Sequence, residues 1–74
     1  MFFFSKLKGK KIYTEDGIHI GKLDDFIFKV GEKPYVNKIV VVDKKKDTLI
    51  IPIDYLKKIN HKIQIFKNYQ IDEV

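Results

Sequence analysis

The sequence predicts an all-β fold: a small, partly open antiparallel β-barrel of five to six strands with one short helical turn. Short runs of isoleucine, valine and phenylalanine recur along the chain, and glycine, proline or aspartate separate them. Asp16-Gly17 lies between alternating apolar residues, which is the strongest short-range signal for a hairpin because glycine accepts positive φ without steric cost. Residues 39–42 are all β-branched and indicate a central strand covered on both faces.

The length limits the chain to one domain, which we place at residues 1–66, with a polar tail or exit linker at 67–74. A chain of this size buries only about 60% of its unfolded surface, so its stability is marginal without additional support. The sequence contains no cysteine, so disulfides and thiolate metal sites are excluded. Support must therefore come from dense apolar packing, for which six phenylalanines and four tyrosines are suited, or from association with a partner.

The first hairpin follows from the pattern around the Asp-Gly turn. Lys11–Thr14 is predicted as a strand with Ile12 directed inward. On the return limb Ile18 and Ile20 alternate with His19, which is therefore expected on the opposite face.

The longest strand is predicted over residues 23–30, after Gly21, which is expected to mark its start. Period-two alternation gathers three apolar side chains on one face of this strand: Phe26, Phe28 and Val30. Glycine and proline then interrupt the pattern at 31–34, which predicts a turn.

Two further strands are predicted on either side of a polar loop. The first spans Tyr35–Asp43, and the loop at 43–47 reads Asp-Lys-Lys-Lys-Asp. The second spans 48–53, and because Pro52 cannot donate to a ladder, this strand should end or lie at an edge there.

The end of the chain is predicted to hold the helical turn and the last strand. Asp54 is a suitable N-cap for a turn over 55–59, with Leu56 and Ile59 directed inward. Residues 62–66 then alternate as a final strand.

The charge of the chain favours a protein partner over a nucleic acid. The net charge is +5, and all fifteen basic residues are lysine, whereas arginine is the preferred side chain for bidentate contacts to phosphate and guanine. Lysines spread along the whole chain indicate a solubilising coat. The lysine run at 44–46 could contact phosphate or an acidic membrane surface. The alternative, which we favour, is a solvated hairpin tip, because two aspartates bracket the run and reduce its field.

The expected location is the cytoplasm. No apolar run approaches the roughly 20 residues of a membrane span. Residues 1–4 are too few for a signal-peptide core, which needs about 7–15 apolar residues. A membrane protein remains a possible partner.

No set of residues indicates catalysis. His19 near Asp24 and Asp25 could bind a metal or move protons, but no third ligand is evident, and adjacent side chains on a strand point to opposite faces. Ser5 is the only serine, and nothing places it beside a histidine base. We therefore predict that the chain is not an enzyme and holds neither a cofactor nor a metal.

The order and spacing of these motifs resemble the PRC-barrel family. That family includes the cytoplasmic domain of the photosynthetic reaction centre H subunit and the C-terminal domain of the ribosome maturation factor RimM. The resemblance runs from about Phe4 to Phe66. It is carried by six segments, which are residues 9–13, 16–17, 20–25, 39–42, 51–54 and 63–66.

The resemblance implies a non-catalytic adaptor or regulatory module, self-associating or fused to other domains. The phenylalanine-rich start also resembles proteins that carry such a barrel ahead of a magnesium-transporter-type, CBS-containing region, so the chain is interpreted as the possible leading module of a longer protein. The alternative is an RNA- or ribosome-associated barrel. A RimM-type role would need a second, N-terminal barrel, which this sequence does not contain.

The aromatic residues are the candidate partner-binding side chains, because a small barrel cannot bury them all and aromatics are enriched in interface cores. The alternative is that they close the two ends of the barrel. Both interpretations stay open for the seven candidates Phe2, Phe3, Phe4, Tyr35, Tyr55, Phe66 and Tyr69.

Overall fold

The computed structural model describes residues 7–72 and confirms the predicted all-β fold. Six strands and one 3-10 turn follow one another along the chain: β1 Lys11–Thr14, β2 His19–Lys29, β3 Tyr35–Asp43, β4 Thr48–Pro52, the 3-10 turn Ile53–Tyr55, β5 Leu56–Ile59 and β6 Ile63–Ile65. The strands form one sheet in the order β4-β3-β2-β1-β6-β5, which is consistent with a partly open barrel around one apolar centre.

One strand pairing differs from the predicted antiparallel scheme. β1 and β6 are parallel, with Ile12 opposite Ile63 and Thr14 opposite Ile65. All other pairs are antiparallel. Turn residues indicate only hairpins between neighbouring strands, so the sequence carried no signal for a contact between the first and last strands.

The core is aliphatic and comes from both ends of the chain. Within residues 7–72, eight apolar side chains are buried: Leu7, Ile12, Leu23, Ile39, Val41, Ile51, Ile63 and Ile65. Burying each of these contributes about 1.5–3 kcal/mol. The prediction that residues 39–42 are covered on both faces is half right, because Val40 and Val42 are only half-buried. A run of β-branched residues favours a strand with two neighbours but does not show which face they cover.

The Asp16-Gly17 hairpin is confirmed. Gly17 has φ 89° and donates its N–H to the carbonyl oxygen of Thr14 at 2.9 Å. The backbone N–H of Thr14 donates in turn to the oxygen of Ile18, and the Thr14 hydroxyl accepts the N–H of Ile18 at 3.1 Å. Ile18 at this turn is 63% exposed.

The predicted helical turn at 55–59 is wrong. The 3-10 turn comes earlier, at Ile53–Tyr55, and Pro52 precedes it with φ −58°. Asp54 lies in its first turn and is not its N-cap. Leu56 is extended and begins β5, which pairs with β6. Ladder hydrogen bonds to β6, the next strand along the chain, therefore outweigh the local helical spacing at these positions.

β2 begins before the predicted start of the longest strand and runs through Gly21, which is buried. A Cβ at Gly21 would lie against the backbone carbonyl of Val42 on β3. Close approach of two backbones, rather than a turn, is therefore the reason for glycine at this position.

Residues 67–72 lie against the sheet. Tyr69 packs on the core, and the backbone N–H of Asp72 donates to the oxygen of Ile50 on β4 at 2.7 Å. The Asp72 carboxylate also accepts from the Lys38 ammonium at 2.7 Å. This part of the predicted tail is thus attached to the edge strand.

Glu15 joins the first hairpin to the segment after β6. One carboxylate oxygen accepts the backbone N–H of Lys67 at 2.9 Å, and the other lies 3.5 Å from the Lys57 ammonium. The Lys67 N–H is the main cause that lowers the pKa of Glu15 below its usual value; Lys57 adds to it and desolvation opposes it. The ionised carboxylate is therefore the form that the fold favours.

Glu15→Gln is expected to lower the melting temperature at neutral pH and to reduce its dependence on acid. Because the folded-state pKa is lowered, the stabilisation by Glu15 is present above the unfolded-state pKa of about 4.3 and is lost as the pH falls through the folded value. Melting curves between neutral pH and pH ~3 measure this, and the two proteins should converge in acid. Glu32→Gln in the exposed 31–34 turn removes the same charge as a control. An equal effect of both variants would contradict the role of Glu15.

Gly21→Ala is expected to lower the free energy of unfolding by about 1–3 kcal/mol, because the Val42 carbonyl is backbone and cannot turn aside. Urea unfolding measures the change. Gly31→Ala is the matched control, since nothing lies within 4 Å of its added Cβ. Equal stabilities of the two variants would show that the two backbones can separate without cost.

Candidate functional site

The far end of the β2–β3 hairpin extends beyond the strands beside it. β2 and β3 stay paired there through Phe28 with Val36 and Lys29 with Tyr35. Among the described residues, β4 pairs with β3 no further than Lys38, and the backbone partners of β2 on the β1 side reach only to Leu23. We call residues 28–36 the hairpin arm.

The hairpin arm carries three of the large apolar side chains that stay exposed. Phe28 is 57% exposed, Val30 is 88% exposed and Tyr35 is 53% exposed. The Phe28 ring lies 6.4 Å from that of Phe26, which packs against the core, so the arm's apolar surface continues into the centre of the fold. Phe28 pairs with Val36 and Lys29 with Tyr35, so Phe28 and Tyr35 lie on opposite faces of the arm, and exposed charged residues occupy the turn between them.

The seven aromatic candidates do not form a single surface within the described residues. Tyr35 lies on the hairpin arm. Tyr55 and Tyr69 are half-buried and pack against the core. Phe66 is 38% exposed, and its backbone joins these two tyrosines, since its N–H donates to the oxygen of Tyr55 and its oxygen accepts the N–H of Tyr69.

Phe2, Phe3 and Phe4 lie outside the described residues. The role of all seven aromatics in partner binding stays a prediction.

Sequence reasoning missed Phe28 and Val30 as candidate contact residues. The period-two pattern places them on one face of a strand and does not show whether that face is covered. The signal that could have found them is strand length. β2 and β3 have 11 and nine residues, whereas the strands on either side of this pair, β1 and β4, have four and five, so these shorter strands do not reach its far end.

His19 is not beside the two aspartates that the sequence suggested as co-ligands. Its ring packs on Tyr13 at 5.1 Å, and Asp25 accepts the backbone N–H of Phe26 at 2.7 Å. In residues 7–72 no group of three histidine, aspartate or glutamate side chains lies close enough to hold a metal ion. The Nε2 of His19 is buried and has no hydrogen-bond partner in this part of the chain.

A cavity of about 260 Å³ opens where β2 begins and β3 ends. We call it the loop pocket; it is lined by His19, Gly21, Lys22, Val42, Asp43, Lys44 and Lys46.

The loop at 43–47 closes one side of the loop pocket. It is fixed by two backbone hydrogen bonds, from Asp43 to the oxygen of Asp47 and from Lys46 to the oxygen of Asp43, each 3.0 Å long. Lys44 and Lys46 are exposed, which agrees with the predicted solvated tip, and they also line the cavity, which composition does not show.

None of the helical structure in residues 7–72 has the length and apolarity needed to cross a bilayer.

Comparison with known families agrees with this architecture. The family model of the PRC-barrel domain matches residues 1–70, nearly the whole chain. Comparison with curated proteins gives no significant match. The match spans all six strands and both surfaces described above, and the chain belongs to the PRC-barrel family.

Proposed function

We propose that this PRC-barrel is a non-catalytic interaction module that binds a protein partner, or a second copy of itself, through the hairpin arm. The observation that carries this proposal is the exposure of Phe28, Val30 and Tyr35 on a paired hairpin that extends past its neighbouring strands. Such a surface fits an adaptor or regulatory role, in which a partner is bound and no covalent bond is made or broken.

The arm is suited to binding because its backbone is already ordered. Ladder pairing with Val36 and Tyr35 holds the last residues of β2, so little backbone entropy remains to be lost on association. Burial of apolar area contributes about 25 cal/mol per Å², and aromatic side chains at the centre of an interface contribute most. Phe28 and Tyr35 offer one exposed aromatic side chain on each face of the arm.

A protein fits the arm better than a nucleic acid does. Val30, the most exposed of the three side chains, offers nothing to a phosphate backbone, whereas it can be buried against an apolar groove. The described lysines are also distributed over β1, β2, β3, β5 and the loops, which does not resemble the single basic stripe of a nucleic-acid footprint.

Phe28→Ser is expected to weaken partner binding at least tenfold, because an aromatic anchor of an interface contributes about 2 kcal/mol or more. Sedimentation velocity over a range of concentrations measures self-association. Affinity capture followed by titration of the captured protein measures binding to another chain. Val30→Ser should act in the same direction.

Ile18→Ser is the matched control. Ile18 is as exposed as Phe28 but lies at the Asp16-Gly17 turn, outside the arm. All three variants should unfold within about 0.5 kcal/mol of the wild type, since exposed positions contribute little to stability. Loss of binding by the Ile18 variant alone, or equal binding by all variants, would rule out the arm as the contact surface.

A further inference from the structure

The loop pocket has more positive charge than its own acidic group can balance. Three lysines and one aspartate line it. The Oδ1 of Asp43 accepts the backbone N–H groups of Lys45 and Asp47, both at 2.9 Å, so this oxygen is directed into the loop. In the described part of the chain the lysines in ion pairs are Lys38 and Lys57, and neither lies in the pocket. The cavity therefore has a positive field with room for a counter-charge.

Lys46 holds an unfavourable backbone conformation in the wall of the pocket. Its φ is 67°, in the left-handed region that glycine adopts freely and a lysine adopts at a cost. Glycine would make the same turn with less strain. Lys46 lines the cavity, and a contribution of its side chain there would offset the cost of this conformation.

His19 forms part of the wall opposite the loop. Its Nε2 is buried without a hydrogen-bond partner among the residues that the structure describes, and such an atom is costly to leave unpaired. This atom is shielded from solvent, so the lysines and not the imidazole supply the pocket's contacts to a ligand.

We propose that the loop pocket binds a phosphate-type oxyanion, held by the ammonium groups of Lys22, Lys44 and Lys46. Charge-assisted hydrogen bonds from several ammonium groups to one tetrahedral anion are the usual way in which lysine binds phosphate. The cavity of about 260 Å³ is large enough for the anion and a small attached group. This site is separate from the hairpin arm, which is formed by the other end of β2 and β3.

Titration with inorganic phosphate, followed by two-dimensional 1H–15N NMR, tests the proposal. We expect saturating changes in the amide chemical shifts of the pocket residues, which are His19, Lys22 and residues 42–47. The amide shifts of the hairpin arm should not change. Sodium chloride at the same ionic strength should not reproduce the curve. A parallel titration uses vesicles that contain phosphatidylglycerol. Saturation by vesicles and not by free phosphate would identify the oxyanion as a lipid headgroup.

Two variants separate binding from folding. Lys22→Gln should weaken phosphate binding about tenfold, as expected for the loss of one charge-assisted contact. Lys46→Gly should weaken it similarly and yet raise the melting temperature, because the strain at this position is released. Lys58 is exposed on β5, outside the loop pocket. Lys58→Gln removes one charge there and should bind phosphate as the wild type does.

Several results would overturn the proposal. Shifts that stay linear in phosphate, that sodium chloride reproduces, or that Lys58→Gln reduces as much as Lys22→Gln would show only general screening of a basic protein. Unchanged binding by Lys46→Gly would remove the role of its side chain.

Discussion

The parallel pairing of β1 with β6 is the contact on which the rest of the structure depends. Ile12 and Ile63 face each other there, and both are buried. Among the described strands, β6 pairs only with β1 and β5. Without the β1–β6 ladder, neither β5 nor β6 would be paired with the other four strands. The contact joins residues far apart in the chain, so its loop-closure entropy must be lost before the core forms. The isoleucine-rich centre stabilises the assembled sheet enough to offset that loss.

The long β2–β3 hairpin gives the small domain two surfaces of different chemistry. One end of the hairpin is apolar and extends past its neighbours, and the other end forms a basic cavity with the loop at 43–47. A strand of 11 residues spans about 36 Å, so the two surfaces lie too far apart for one small ligand to contact both. The ladder of backbone hydrogen bonds between β2 and β3 nevertheless connects the two surfaces.

Local signals in the sequence predicted most of the fold. Asp16-Gly17 fixed the first hairpin, and Pro52 correctly marked the end of β4. The errors arise where pairing in the assembled sheet decides the local structure. Leu56 and Ile59 have helical spacing, but β6 draws them into a strand. Gly21 was interpreted as a boundary because the approach of Val42 is invisible in the sequence.

The candidate surfaces were harder to predict than the strands, for a related reason. Exposure of Phe28 depends on how far the adjacent strands reach, which is a property of the assembled sheet. The position of Lys46 in a cavity wall depends on a turn conformation that lysine rarely adopts. Neither property can be predicted from residue type alone.

The attachment of residue 72 to β4 has a consequence for the behaviour of the protein at high concentration. β4 is an edge strand with the sequence Thr-Leu-Ile-Ile-Pro. An exposed apolar edge strand can pair with the same strand of another molecule, which is a first step towards a fibril. Asp72 occupies the carbonyl oxygen of Ile50, and Pro52 offers no donor at the end of the strand. At the opposite border, Lys57 and Lys58 repel a second copy. The pairing of Asp72 with Ile50 thus protects the β4 edge against pairing with a strand of another molecule.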